Sequence, residues 1–161
     1  MAYIEQSAGL ANFAVSKILE KLIGTSDSQG HLYFMKGAIP SSLNDTDPKQ
    51  YRIADRLVHW NRNQIKVNNS NVVSTNASFA FNSGITTWFH WYRVENDRIY
   101  QLVGNITDAG MGGDIELTNR NIQQDSAYSI RDLNFLTTKY FTNIKFDTAL
   151  VYSIIVNPSS S

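Results

Sequence analysis

The sequence contains no cysteine, which excludes disulfide scaffolds, cysteine-ligated zinc sites and thiol catalysis. Charged residues are also scarce, at 17% of the 161 residues against about 25% in an average domain. Positive and negative charges balance at 14 each. Binding to nucleic acid or to an anionic membrane surface relies on excess positive charge, so we expect neither direct nucleic-acid binding nor membrane binding.

Long apolar runs are missing as well. No segment approaches the roughly 18 consecutive apolar residues of a membrane span, and the N-terminus lacks the basic and apolar regions of a signal peptide. What is present is a 42% share of hydrophobic residues, which predicts a folded core, and a polar surface built from 16 Asn, 16 Ser and 11 Thr. Such a surface repels itself weakly and is compatible with packing against other subunits.

The first segment has the spacing of an amphipathic helix. Leu10, Ile18 and Leu22 lie on one face of a 3.6-residue repeat, and Gly24 is a natural C-terminal stop. The pattern favours a helix packed on its own domain. Docking of this helix on a neighbouring copy is the functional alternative.

Short segments rich in aromatic and β-branched residues follow residue 30, and the clearest are 85–94 (ITTWFHWYRV) and 98–107 (RIYQLVGNIT). Many short strands predict a mainly β protein, an antiparallel β-sandwich or jelly-roll-like domain with an N-terminal amphipathic helix. We assign residues 1–30 to the helix and a loop, 31–156 to the sandwich domain and 157–161 to a flexible tail. A change of hydrophobic phase near Arg131 and Asp132 predicts a bulge or a bend.

Few residues carry recognisable chemistry. His31, His59 and His90 fall on different predicted strands without the spacing of a metal site, so we predict no metal and no cofactor. No serine lies in a nucleophile elbow and no pair of carboxylates presents itself as acid and base, so no catalytic residues are predicted. The glycine cluster at 109–114 is expected to supply turn positions rather than a phosphate cradle.

The run 88–92 is aromatic on both sides of its predicted strand. Because side chains alternate across a strand, Trp88, His90 and Tyr92 should share one face, and Phe89 and Trp91 the other. We expect one face in the core and the other under a neighbouring subunit, with His90 half-buried and hydrogen-bonded among the aromatic rings.

Four segments together resemble a family of small virion structural proteins of tailed bacteriophages. They are the helix end ILEKLIGTSDSQG, the strand and turn LYFMKGAIPSSLNDTD, the aromatic hairpin TTWFHWYRVENDRIYQLVGNIT and the glycine corner AGMGGDIELTNRNIQQDSAYSIRDLNF. The resemblance covers about residues 1–136, and Leu117, Thr118, Asn119 and Ile122 fall on its most characteristic positions. The segment 137–161 has no counterpart in the family.

The resemblance implies a non-enzymatic structural or accessory component of the virion, located in the capsid decoration, the head–tail junction, or the tail or baseplate. Its expected partners are other virion structural proteins and further copies of itself, as a homo-oligomer. The candidate interface residues are Leu10, Phe13, Ile18, Leu22, Trp88, Trp91, Tyr140 and Phe141.

Two other functions are compatible with the sequence. A carbohydrate-binding sandwich for host attachment would leave Trp60, Trp88 or Trp91 exposed in a groove, where a glycan is the possible ligand. A hydrolase on a β scaffold would bring His59 or His90 together with an acid and a hydroxyl within hydrogen-bond reach.

Overall fold

The computed structural model describes residues 8–40, 53–68, 72–96, 98–135 and 154–160. Within these ranges there is one α-helix, followed by strands and two short 3-10 turns at Ile53–Asp55 and Arg62–Gln64. The elements are α1 (Ala8–Ile23), β1 (Gly30–Met35), β2 (Arg56–Asn61), β3 (Ile65–Asn68), β4 (Val72–Thr75), β5 (Ser78–Phe79), β6 (Gly84–Ile85), β7 (Trp88–Glu95), β8 (Arg98–Asp108), β9 (Ile115–Leu117), β10 (Asn121–Ile122), β11 (Ala127–Phe135) and β12 (Ile154–Ser160).

The strands form two larger sheets and one small one. The first has the order β2-β1-β7-β8-β9, the second has the order β12-β11-β4-β3 with β5 also paired to β11, and β6 pairs with β10. A mainly β fold with one helix is therefore confirmed for the described residues. The first sheet is mixed rather than antiparallel throughout, because β9 runs parallel to β8.

The glycine loop between β8 and β9 produces this parallel pairing. Gly110 and Gly112 have φ values of +84° and +80°, which glycine adopts without strain, so they occupy turn positions as predicted. Their backbone N–H groups donate to the two carboxylate oxygens of Glu116, at 3.0 and 2.9 Å. The loop thus wraps around the Glu116 carboxylate, and β9 then runs beside β8 in the same direction.

One hydrophobic core joins the two sheets and the helix. On β1, Leu32 and Phe34 point into it, and Phe89 and Trp91 of β7 lie opposite them. The same cluster contains Val73, Ile130 and Leu133 of the second sheet and Leu19 and Leu22 of α1. The helix therefore packs on its own domain, as its amphipathic pattern favoured.

Side chains of β7 hold the C-terminal end of α1. The last carbonyls of a helix have no partner within the helix and need outside donors when they are buried. The Trp91 indole N–H donates to the carbonyl of Leu22 at 3.1 Å, and the Arg93 guanidinium donates to that of Lys21 at 3.1 Å. A cation at this end also complements the negative pole of the helix dipole.

Gly24 ends the helix, as its position predicted. Its φ of +82° favours glycine, and a Cβ there would lie 2.2 Å from the carbonyl oxygen of Ser28. The Gly24 carbonyl accepts a hydrogen bond from Nε of Arg62 at 3.1 Å, so a second arginine fixes the turn that leads into β1.

Strand β11 contains the irregularity that the sequence predicted. Its register against β12 shifts between Arg131 and Asn134, where the hydrophobic phase changes. Residues 157–160, predicted to belong to a flexible tail, lie in β12 and pair with β11. Pro158 fits there because β12 lies at the edge of its sheet among the described strands, and a missing N–H donor is tolerated at an edge. Within the described residues, no helix combines the length and the apolar character that crossing a bilayer requires.

Replacing Arg93 by Met should lower the free energy of unfolding by about 1–3 kcal/mol, because the carbonyls of Lys21 and Ser28 lose the charged donor that the buried Arg93 side chain supplies. Urea unfolding monitored by tryptophan fluorescence measures the change. Arg98→Met is the matched control on an exposed position of β8, and it should stay within about 0.5 kcal/mol of wild type. Equal losses in the two variants would contradict the anchoring role.

Candidate functional site

All three histidines lie on one face of the first sheet, opposite the core. Strand β1 is flanked by β2 and β7, and residues directly across from each other share a face. Tyr33 of β1 lies between His59 and His90, and His31 lies opposite Tyr92. We call this group the histidine face; its members are His31, Tyr33, Arg56, His59, His90 and Tyr92.

The rings of the histidine face contact one another across the strands. The centroids of Tyr33 and His59 are 4.4 Å apart and stacked, and those of His90 and Tyr92 are 4.8 Å apart and stacked. The centroids of His31 and His59 are 5.1 Å apart. Such contacts order the side chains, since each ring restricts the rotamers of its neighbours.

His31 and His59 are hydrogen-bonded to each other, with Nδ1 of His31 and Nε2 of His59 2.9 Å apart. One nitrogen donates and the other accepts, so the bond requires that at least one ring is neutral. Burial, the facing His31 and the nearby Arg56 lower the pKa of His59 from 6.5 to about 4. Burial and Arg56 also lower the pKa of His31. The pair is therefore uncharged at neutral pH.

His90 is fully buried, not half-buried as its position among aromatics predicted. Its Nε2 is 2.9 Å from the amide oxygen of Gln101 on β8, which accepts a hydrogen bond when that nitrogen is protonated. Burial lowers the pKa of His90 to about 4, an effect that the Gln101 bond opposes and Arg56 reinforces. His90 is thus a neutral, oriented donor within the sheet.

Arg56 is the charged member of the histidine face. Its guanidinium carbon lies 4.1 Å from the centroid of the Tyr33 ring, the geometry of a cation–π contact. Burial raises the pKa of Tyr33, and Arg56 partly offsets this effect. The positive charge also disfavours protonation of all three histidines, so the site keeps one fixed charge among neutral rings.

The histidine face presents N–H donors and aromatic rings. Among the described residues, no three His, Cys, Asp or Glu side chains are grouped so that they could hold a metal ion. His59 bonds to another histidine and His90 bonds to an amide, which differs from the base-to-carboxylate pairing of a catalytic triad. Ser78 donates to the backbone carbonyl of His59, not to its ring.

The predicted interface residues lie in several places. Trp91 is fully buried and Leu22 nearly so, both in the main core cluster, and Trp88 is fully buried in a second cluster beside Met35, so none of the three lies on a surface. Ile18 is half-buried and packs against the main core cluster. For Leu10 and Phe13 only the backbone, in α1, is described, and Tyr140 and Phe141 lie outside the described residues.

The alternation of residues along two strands, rather than the spacing of the histidines, is the sequence pattern that indicates this face. His31 and Tyr33 alternate on β1 just as Trp88, His90 and Tyr92 alternate on β7. Two polar-aromatic alternations on neighbouring strands indicate a shared face, but only the pairing register shows that they face each other.

Comparisons with known proteins return no relative. The chain matches no family model, no curated protein and no solved structure. The site is therefore described by its geometry alone.

The histidine face should make the protein acid-sensitive. His59 and His90 stay neutral in the folded chain down to a pKa of about 4, whereas the unfolded chain binds protons below the ordinary value of 6.5. The stability present above about pH 6.5 is therefore lost progressively as the pH falls towards about 4. The His90 share of this loss should be roughly 2 kcal/mol near pH 4.5.

Urea unfolding near neutral pH and near pH 4.5 measures this loss (both values approximate), and His90→Gln serves as the comparison because glutamine cannot take up a proton. The variant should lose less stability than wild type between the two conditions. An equal loss in both proteins would show that His90 does not contribute to the pH dependence.

Proposed function

We propose that the chain is a non-enzymatic structural or accessory subunit of a tailed-phage virion, acting through contacts with further copies of itself and with neighbouring subunits. The virion assignment is supported by the sequence resemblance over about residues 1–136. The observation that carries the contact function is a set of exposed apolar side chains on two neighbouring segments, Ile53, Phe79 and Phe81, which we call the exposed apolar edge.

This exposed apolar edge is unusual for a surface that meets only water. Phe79 is 71% exposed and Phe81 48% exposed, while Ala80 between them is buried, so the two rings project outward from one extended segment. The Asn82 side chain donates to the carbonyl of Ala54, which holds Ile53 near the same segment. Grouped exposed apolar residues mark interaction surfaces more often than isolated ones do.

The charge of the chain favours a second subunit as the partner that covers the exposed apolar edge. The net charge is zero and charged residues are few, so two copies approach without strong repulsion. Two sheets that share one core also support the sandwich-like domain expected of such a subunit. Repeated weak contacts gain strength when symmetry makes many of them at once.

The carbohydrate-binding alternative depended on an exposed tryptophan. Trp60, Trp88 and Trp91 are each 0% exposed, and the indole N–H groups of Trp60 and Trp88 donate to the backbone carbonyls of Tyr128 and Lys36. No observation on the described residues favours a stacking platform for sugars, so we do not carry this alternative further.

Replacing Phe79 and Phe81 by Ser should weaken self-association at least tenfold, because the apolar surface that drives it is removed. Sedimentation velocity across a protein concentration series measures the association constant. Met111→Ser, which removes an equally exposed apolar side chain from the glycine loop, is the control and should leave association unchanged. A wild-type chain that stays monomeric at all concentrations would contradict self-contact through this edge.

The virion assignment itself is tested separately. Mass spectrometry of purified phage particles from the source of the sequence should detect the chain at a fixed ratio to the major capsid protein. Its absence from such particles would contradict the assignment, whatever the outcome of the association experiment.

A further inference from the structure

Arg56 has one edge of its guanidinium without an acceptor. Its Nε and Nη2 atoms are buried, and no hydrogen-bond partner for either lies among the described residues. These two nitrogens lie on the same edge of the planar guanidinium and direct two roughly parallel N–H bonds outward in its plane. Burying charged donors without acceptors costs free energy, so we expect this edge of Arg56 to bind a hydrogen-bond acceptor.

Other arginines of the chain use this edge. Arg120 binds the carboxylate of Asp108 through Nε at 2.9 Å and through Nη2 at 3.3 Å. Arg93 and Arg62 direct Nε to the backbone carbonyls of Ser28 and Gly24. The Arg120–Asp108 pair shows which ligand fills both positions of the edge at once, namely a planar carboxylate.

The charges around Arg56 favour an anion over a cation. Among the described residues, the charged groups that lower the pKa values of the three histidines are Arg56 and, for His59, also His31, and none of them is a carboxylate. Two neutral histidines in contact would suit a transition metal, but a fixed positive charge beside them opposes that. A positive guanidinium with an open bidentate edge attracts the opposite charge.

We propose that the histidine face is a carboxylate-binding site in which Nε and Nη2 of Arg56 hold the two carboxylate oxygens. The Tyr33 ring supports the guanidinium from one side at 4.1 Å and limits its rotation. Because the edge is shielded from solvent, the pair would form in a setting of reduced dielectric, where charge-assisted hydrogen bonds are strong. The shielding also favours a small ligand group and requires neighbouring side chains to move aside on entry.

A small free carboxylic acid and an Asp or Glu side chain of a second copy present the same chemistry. The first source would make the face a ligand site. The second would make it part of a subunit contact, and in that form the inference rests on the proposed function. The two are separated by adding acetate at fixed protein concentration and, independently, by raising the protein concentration without acetate.

The readout is the side-chain Nε–H signal of Arg56 in ¹H–¹⁵N spectra of the full chain, assigned by its loss in Arg56→Lys. Acetate added at constant ionic strength should shift this signal until the shift saturates. Chloride should not reproduce the shift, because a spherical ion does not match the two parallel N–H donors as a planar carboxylate does. Arg56→Lys keeps the charge but lacks the paired donors, so it should weaken acetate binding roughly tenfold or more, measured through neighbouring backbone amides. Arg98→Lys, on an exposed position of β8, should leave binding unchanged.

A shift that follows acetate supports a free carboxylate as ligand, and a shift that follows protein concentration supports a carboxylate from a second copy. An Arg56 signal that responds to neither overturns the proposal, as does an equal response to acetate and chloride. Loss of self-association in the Phe79 and Phe81 variant with acetate binding retained would show that the two surfaces act separately.

Discussion

The pairing of β1 with β7 is the constraint on which the rest of the structure depends. Its register sets Leu32 opposite Trp91 and Phe34 opposite Phe89 on the core face, and Tyr33 opposite His90 on the other. A slip of one residue would turn the aromatic core residues away from the second sheet and α1 and place the histidine face against them instead. The core, the position of α1 and the histidine face therefore all follow from a single alignment of two strands.

Three arginines of the chain hold backbone segments in place. Arg93 and Arg62 donate to carbonyls at and just after the end of α1, and Arg120 joins Asp108 to the carbonyl of Thr86. In a chain with few charged residues, arginine is an effective donor because one guanidinium can satisfy several acceptors. Arg56 departs from this use, since the buried edge of its guanidinium faces no acceptor among the described residues.

The sequence predicted those features of the fold that depend on residues close together in the chain. The aromatic strand, the helix stop at Gly24, the positive-φ glycines and the bulge after Arg131 all depend on neighbouring residues. The pairing of β12 with β11 and the convergence of the histidines depend on which strands meet, and contacts across tens of residues leave no periodic trace in a sequence. The burial of His90 has the same origin, because it depends on what covers the sheet.

The anchoring of α1 by β7 has a consequence for the order of assembly. The donors Trp91 and Arg93 are separated from the carbonyls they cap by 69 and 72 residues. On the ribosome, the helix segment emerges long before the strand that will fasten it, and short isolated helices are marginal in water. Helix α1 must therefore wait for β7 before it can reach its docked state, although it is the first of the described elements to be synthesised.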